Sequence, residues 1–137
     1  MVKHKEVKEG VIFPLGEKNE GFADYFVGTS YVQSLIADSA INVGVATVTF
    51  EPGCRNNWHI HHDGFQLLLV TGGEGWYQEV GKPARFLKAG DVVTTHEGVK
   101  HWHGATSDSW FTHIAITAGT PEWLEAISEE SYLHLAE

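Results

Sequence analysis

Short apolar or alternating runs, separated by glycine-containing turns, dominate the chain from about residue 25 to residue 116. Residues 43–50 are rich in β-branched side chains and stop at Pro52-Gly53. Residues 66–71 form a Leu-rich run closed by Gly72-Gly73, and residues 75–79 follow before the turn Gly81-Lys82-Pro83. Arg85-Phe86-Leu87 leads into Ala89-Gly90, residues 91–95 make the next run, and residues 110–116 make the last. Two earlier runs occupy residues 25–28 and 31–36. Many short strands at this spacing predict an all-β fold, an antiparallel sandwich or barrel. The tail reads differently. Thr120 is placed to cap a helix with Pro121 in its first position, and Trp123, Leu124, Ile127 and Leu135 supply an apolar face. The expected organisation is one domain over residues 1–137, with N-terminal strands at about 22–37, a barrel core at about 40–118 and a helical segment at about 120–136. No internal repeat or low-complexity linker interrupts it.

Histidines add the first chemical signal. His59 and His61 are two residues apart, so on a strand both imidazoles face the same side. Gln66 follows five residues later, His101 and His103 form a second alternating pair, and His113 lies inside the last strand. A single strand histidine is more often a packing residue than a ligand. Two His-x-His pairs in one β-domain are harder to explain that way. Three imidazoles with an oxygen donor suit Mn, Fe, Ni, Cu or Zn. The remaining histidines read as bland. His62 is turned away by alternation and expected in a loop, His96 sits in a turn, and His4 and His134 lie near the ends. Trp58 and Trp102 alternate with the paired histidines and are expected on the opposite face, whereas Val45, Thr47, Phe65 and Leu67 are candidates to line a pocket.

Charge narrows the partners. Nine basic and eighteen acidic residues give a net charge of -9, unfavourable for phosphate backbones and anionic lipid surfaces, so neither nucleic acid nor a membrane is an expected partner. The opening residues carry no apolar run of signal-peptide type, and no stretch is long enough to span a bilayer. Cys54 is the one cysteine, which excludes an internal disulfide. The expected compartment is the cytoplasm.

Two spaced motifs then bring in a family. Gly53-x5-His59-x-His61-x4-Gln66-x6-Gly73 resembles the first cupin motif, with Gln66 where glutamate is usual. Gly90-x5-His96-x-Gly98-x2-His101 resembles the second, with His96 in place of the usual proline and Ala105 where asparagine is common. The resemblance implies a small jelly-roll-like cupin barrel in which His59, His61, Gln66 and His101 hold one metal ion. An amide binds a metal more weakly than a carboxylate does. It also implies a homodimer or a dimer of dimers, consistent with apolar side chains at Tyr25, Phe26, Tyr31, Val32, Leu35 and Ile36 if these face outward.

A narrower resemblance spans residues 23–29, Trp58-His59-Ile60-His61, residues 100–105 and 112–116, with Trp123 and Tyr132. These segments are similar to the bacterial cupin-type hydroxynitrile lyases, a group that includes cupins related to carboxymuconolactone decarboxylase. That likeness implies manganese, with iron, nickel or zinc as alternatives, and gives His103 and His113 the positions of further histidines beside the metal. Two departures stand out: Thr117 occupies a position where the lyases carry glutamine, and one extra residue separates His61 from Gln66. The implied activity is cleavage of cyanohydrins to a carbonyl compound and cyanide, with His103 or His113 as base. Both histidines fit equally well as groups that orient ligands. The alternatives are a cupin that binds or senses a small molecule without turnover, and a dioxygenase or isomerase of aromatic-acid catabolism.

Overall fold

The β-branched runs become ten strands in the computed structural model, which describes residues 12–136. In chain order they are β1 (Glu17–Lys18), β2 (Phe26–Val27), β3 (Ser30–Ile36), β4 (Gly44–Phe50), β5 (Arg55–Asn56), β6 (His59–Glu79), β7 (Arg85–Lys88), β8 (Val92–Thr95), β9 (His101–Ala105) and β10 (Phe111–Trp123). One short helix, α1 (Glu129–Leu133), and a 3-10 turn over His134–Ala136 follow. His4 lies outside the described residues. No helix among those described is long and apolar enough to cross a membrane.

All ten strands belong to one sheet, with the path β1-β3-β4-β10-β6-β9-β5-β2. β6 is the organising element, because its middle, Gln66–Leu69, lies between β10 and β8, and its later part pairs with β7 and β9. Its 21 residues offer two edges long enough for all four partners. Gly72-Gly73, expected to end a strand, instead lie within β6, where Thr71 is an extra residue skipped by the pairing to β10. The bend replaces the expected turn.

Inside the curl, Phe50, Leu68, Leu87, Val93 and Phe111 form the main core. Complete burial of side chains this size stabilises by roughly 1.5–3 kcal/mol each. A second cluster lies on the outer face, where Trp102, Ile127 and Tyr132 pack together with Trp58 against them. The two tryptophans therefore do face away from the paired histidines, as alternation requires.

The C-terminal segment corrects the expected helix. Residues 120–123 continue β10, with Thr120, Pro121, Glu122 and Trp123 opposite His62, His61, Ile60 and His59. Pro121 is tolerated there because β4 pairs with β10 only as far as Thr117, leaving the other edge open for a residue without an N–H. The helix starts later, with the Ser128 hydroxyl accepting from the Ser131 N–H at 3.1 Å as its cap. Tyr132 ties it down by donating its hydroxyl to the Ala105 carbonyl at 2.6 Å, while Arg55 lies over the Tyr132 ring at 4.1 Å and pairs with Glu129 at 2.7 Å.

Candidate metal centre

A single bulge decides which way Gln66 faces. It lies five positions after His61, an odd offset that on a regular strand would send the two side chains to opposite faces. The pairing of β6 with β10 slips by one residue between Ala118↔Phe65 and Thr120↔His62, so β6 carries one extra residue here. Asp63 takes a positive φ of 56°, and Gly119 opposite has φ 91°. Backbones come so close that a Cβ on Gly64 would meet the Ala118 carbonyl, and one on Gly119 would meet the His62 carbonyl at 2.3 Å. The slip restores Gln66 to the same face as His59 and His61, and all three are buried. Parallel pairing of β9 beside β6 sets His101 against His59, with ring centroids 4.1 Å apart.

Hydrogen bonds fix which nitrogens are free. His59 Nδ1 lies 2.8 Å from the Asn57 carbonyl and His101 Nδ1 lies 3.0 Å from the Val99 carbonyl. Carbonyls only accept, so each Nδ1 carries the proton and each Nε2 keeps a lone pair. Gln66 donates its amide nitrogen to Thr117 Oγ1 at 3.1 Å, which leaves its carbonyl oxygen facing His101 Nε2 at 3.3 Å. Two acceptors thus meet without a proton between them. Both nitrogens of buried His61 lack a protein partner. Candidate ligand atoms of His59, His61 and His101 all lie within 4.8 Å of one another. Converging lone pairs in a buried setting are repulsive alone and attractive around a cation, so this donor set fits a divalent transition metal. Burial, followed by repulsion from neighbouring imidazoles, lowers the His59 pKa far below its ordinary 6.5, and burial lowers His101 to about 4. Neutral imidazoles are the form a metal requires.

Two further histidines sit beside this set. His103 and His113 are buried, with ring centroids 4.9 Å apart, and burial lowers His103 well below its ordinary range and His113 to about 4. His103 Nε2 is 3.2 Å from the Asn56 amide nitrogen, while its Nδ1 and both nitrogens of His113 have no protein partner.

These side chains open onto a cavity of about 420 Å³. Its floor carries His59, His61, Gln66, His103, His113 and Asn56, and its walls are apolar, among them Val32, Val45, Val48, Phe50 and Ala115. Trp123 lies on His59 with centroids 4.5 Å apart and stacks on Tyr25 at 4.8 Å with ring planes within 3° of parallel. A few polar groups at the end of an apolar pocket of this size suit a small organic molecule.

Comparison with known proteins places this architecture. The profile of the cupin domain matches residues 46–117, which include every histidine of the site. The chain belongs to the cupin family. A curated relative, the (R)-mandelonitrile lyase of Granulicella tundricola, is 42% identical over 119 residues, covering 82% of this chain and 89% of the relative. The crystal structure of a cupin-like protein from Thermotoga maritima is 46% identical with a TM-score of 0.83, covering 89% of this chain and 94% of that one. A predicted oxalate decarboxylase from the same organism shares the fold at 22% identity and a TM-score of 0.68, over 88% of this chain and 99% of that one. The curled sheet is thus an all-β, jelly-roll cupin barrel.

In this cupin the structure brings His59, His61, Gln66 and His101 together, with His103 and His113 next to them. Other sequence expectations are corrected. His62 is not in a loop but in β6, facing out and paired with Glu122 at 2.6 Å. Of the four residues expected to line the pocket only Val45 does so; Thr47, Phe65 and Leu67 stand off the lining. Phe26, Val32 and Ile36, grouped with outward residues, line the cavity instead. Sequence reasoning missed Asn56, Phe50 and the mouth residue Phe22, and read Trp123 as part of a helix. Alternation on β4 places Phe50 with Val48, a signal that was present; Asn56 sits on a two-residue strand that no periodicity marks.

Proposed function

We propose that this cupin is a metal-dependent lyase that cleaves cyanohydrins, aromatic ones such as mandelonitrile first, into a carbonyl compound and hydrogen cyanide. One observation carries the reading. His103 and His113 line the same cavity as His59, His61 and Gln66 yet stand outside that donor set, with nitrogens left without protein partners. A site that only binds has little use for such imidazoles, whereas proton transfer needs them. The likeness to a mandelonitrile lyase supplies the substrate class.

His59, His61, His101 and Gln66 would hold one divalent ion, manganese first and iron, nickel or zinc as alternatives. Such an ion supplies Lewis acidity toward a substrate oxygen, which makes a hydroxyl proton easier to remove. The chain does the rest. Val45, Val48, Phe50 and Ala115 seat the organic group and keep water away. The His103–His113 pair takes the hydroxyl proton as the carbonyl forms. The carbon–carbon bond to the nitrile breaks, its electron pair leaves as cyanide, and the proton is returned to give hydrogen cyanide. Because burial keeps both imidazoles neutral, a lone pair is ready at neutral pH.

The test is benzaldehyde formation from mandelonitrile by protein stripped with a chelator and then reloaded with manganese. Release above the buffer rate that disappears on stripping is expected. A fully loaded protein no faster than buffer would refute the assignment.

A further inference from the structure

The two imidazoles next to the donor set are not equivalent, and Asn56 is the reason. Asn56 and His103 are both 3% exposed, and two hydrogen bonds join them. The His103 backbone N–H donates to Asn56 Oδ1 at 2.9 Å. A backbone N–H can only donate, so the amide oxygen is held on that side and the amide nitrogen is turned toward the His103 ring. There it lies 3.2 Å from Nε2. An amide NH2 also only donates, so Nε2 has to be the acceptor and carries no proton. Protonating Nε2, in the other neutral tautomer or in the imidazolium, would set two donors face to face in a buried place.

The fold builds this clamp locally. β5 has two residues, Arg55 and Asn56, and alternation sends them to opposite sides. Arg55 goes outward to Glu129 and the Tyr132 ring, while Asn56 goes to the cavity. Pairing of Arg55 with Gly104 on β9 brings the Asn56 amide beside His103.

We propose that Asn56 locks His103 in the form with its proton on Nδ1, making His103 a hydrogen-bond donor to the substrate and leaving His113 as the proton acceptor. Nδ1 of His103 is buried with no protein partner, in a side chain that lines the cavity, so in this tautomer its N–H is left without an acceptor in the protein. No side chain holds the His113 ring in one tautomer as Asn56 holds His103. This division rests on the cyanohydrin reading above. In that reaction the hydroxyl proton moves to His113, the O–H electron pair becomes the second carbonyl bond, and the carbon–nitrile pair departs as cyanide. The His103 Nδ1–H supports the negative charge growing on the cyanide, and His113 then hands the proton to it. Asn56 touches no reacting atom; it is a positioning residue.

Nitrogen-15 NMR of the histidine rings tests the lock apart from any activity. The sample is zinc-loaded protein labelled at histidine, zinc being diamagnetic, with the His103 signals identified by their loss in His103→Gln. The wild type should show an unprotonated Nε2 and a protonated Nδ1 at His103. Asn56→Asp puts an acceptor where the amide nitrogen was and should invert that pattern. A protonated Nε2 in the wild type would overturn the lock, whether or not Asn56→Asp folds, and so would an unchanged pattern in folded Asn56→Asp. The second arm measures mandelonitrile cleavage with metal content checked. Since a general base contributes about 10²–10⁴-fold, His113→Gln should lose that much, while His103→Gln, which keeps an N–H donor, should lose less than about tenfold. Equal losses with equal metal would overturn the division of roles. An NMR pattern as expected, in a wild type inactive on cyanohydrins, would uphold the lock and remove the reaction assigned to it.

Discussion

Gln66 and Thr117 stand directly opposite each other on β6 and β10, and the amide nitrogen of the first donates to the hydroxyl oxygen of the second at 3.1 Å. That bond decides which end of the amide faces the imidazoles. With the nitrogen engaged, the oxygen is the group presented to His101 Nε2. Thr117 therefore acts on the donor set without belonging to it.

Replacing Thr117 by Val removes the acceptor and lets the amide rotate. Partners that orient metal ligands are typically worth about 10–100-fold in affinity, and a loss in that range is expected from competition with a calibrated chelator. Gln66→Glu should bind the same ion more tightly than the wild type, because a carboxylate adds charge to a set that has none. Unchanged affinity in Thr117→Val would show that the bond does not orient the amide.

Ligand deletions should separate cleanly. His59→Ala and His101→Ala should lose metal, from roughly one ion per chain to near none, while His62→Ala should keep it, since His62 faces out toward Glu122. Elemental analysis of purified variants reads this directly. Equal metal in all three variants would contradict the assigned donor set.

The β6 bulge gives a structural test. Gly119→Ala places a Cβ against the His62 carbonyl on a backbone with φ 91°. Strain of this kind costs about 1–3 kcal/mol, so the melting temperature should fall. Because the bulge is what turns Gln66 inward, metal affinity should fall as well. Gly53→Ala is the control, since its φ is also positive, at 81°, but no atom lies within 4 Å of its added Cβ and it is remote from the slip.

Much of this site was legible in the sequence, and for definite physical reasons. His59 with His61 and His101 with His103 follow from alternation, which holds wherever a strand is regular. Alternation also put Trp102 on the far side, where it is fully buried against Tyr132. Legibility ended where regularity ended. The bulge at Asp63 changed the parity of β6, so spacing alone could not give the side on which Gln66 lies. Phe65 and Leu67 were expected inside on the same uncertain parity and are turned away. Pro121 carried a helix-start signal, but the open edge of β10 beyond Thr117 let it remain in a strand. Asn56 had no local signature, because its role depends on β5 meeting β9 from a distant part of the chain.

Buried neutral histidines also set an acid limit on the metal-free fold. His113 and His101 are held at about 4 against an ordinary 6.5, so between those values the unfolded chain binds protons that the folded chain does not. Their stabilising contribution is complete above about 6.5 and is lost as pH falls toward 4. Each such proton steepens the dependence by up to about 1.4 kcal/mol per pH unit. Thermal melts of chelator-stripped protein should therefore show a falling melting temperature across this range, shallower in His113→Phe. A flat profile would contradict the neutral burial of these rings.

The proposed conversion of cyanohydrins at the His59–His61–Gln66–His101 centre is tested most directly by running the reaction in reverse. Benzaldehyde and cyanide combine in buffer to give racemic mandelonitrile, so the enantiomeric excess of the product reports only what forms inside a chiral site. With manganese-loaded protein a clear excess of one enantiomer is expected, and it should vanish in His101→Ala. A racemic product from wild-type protein with full metal content would contradict it.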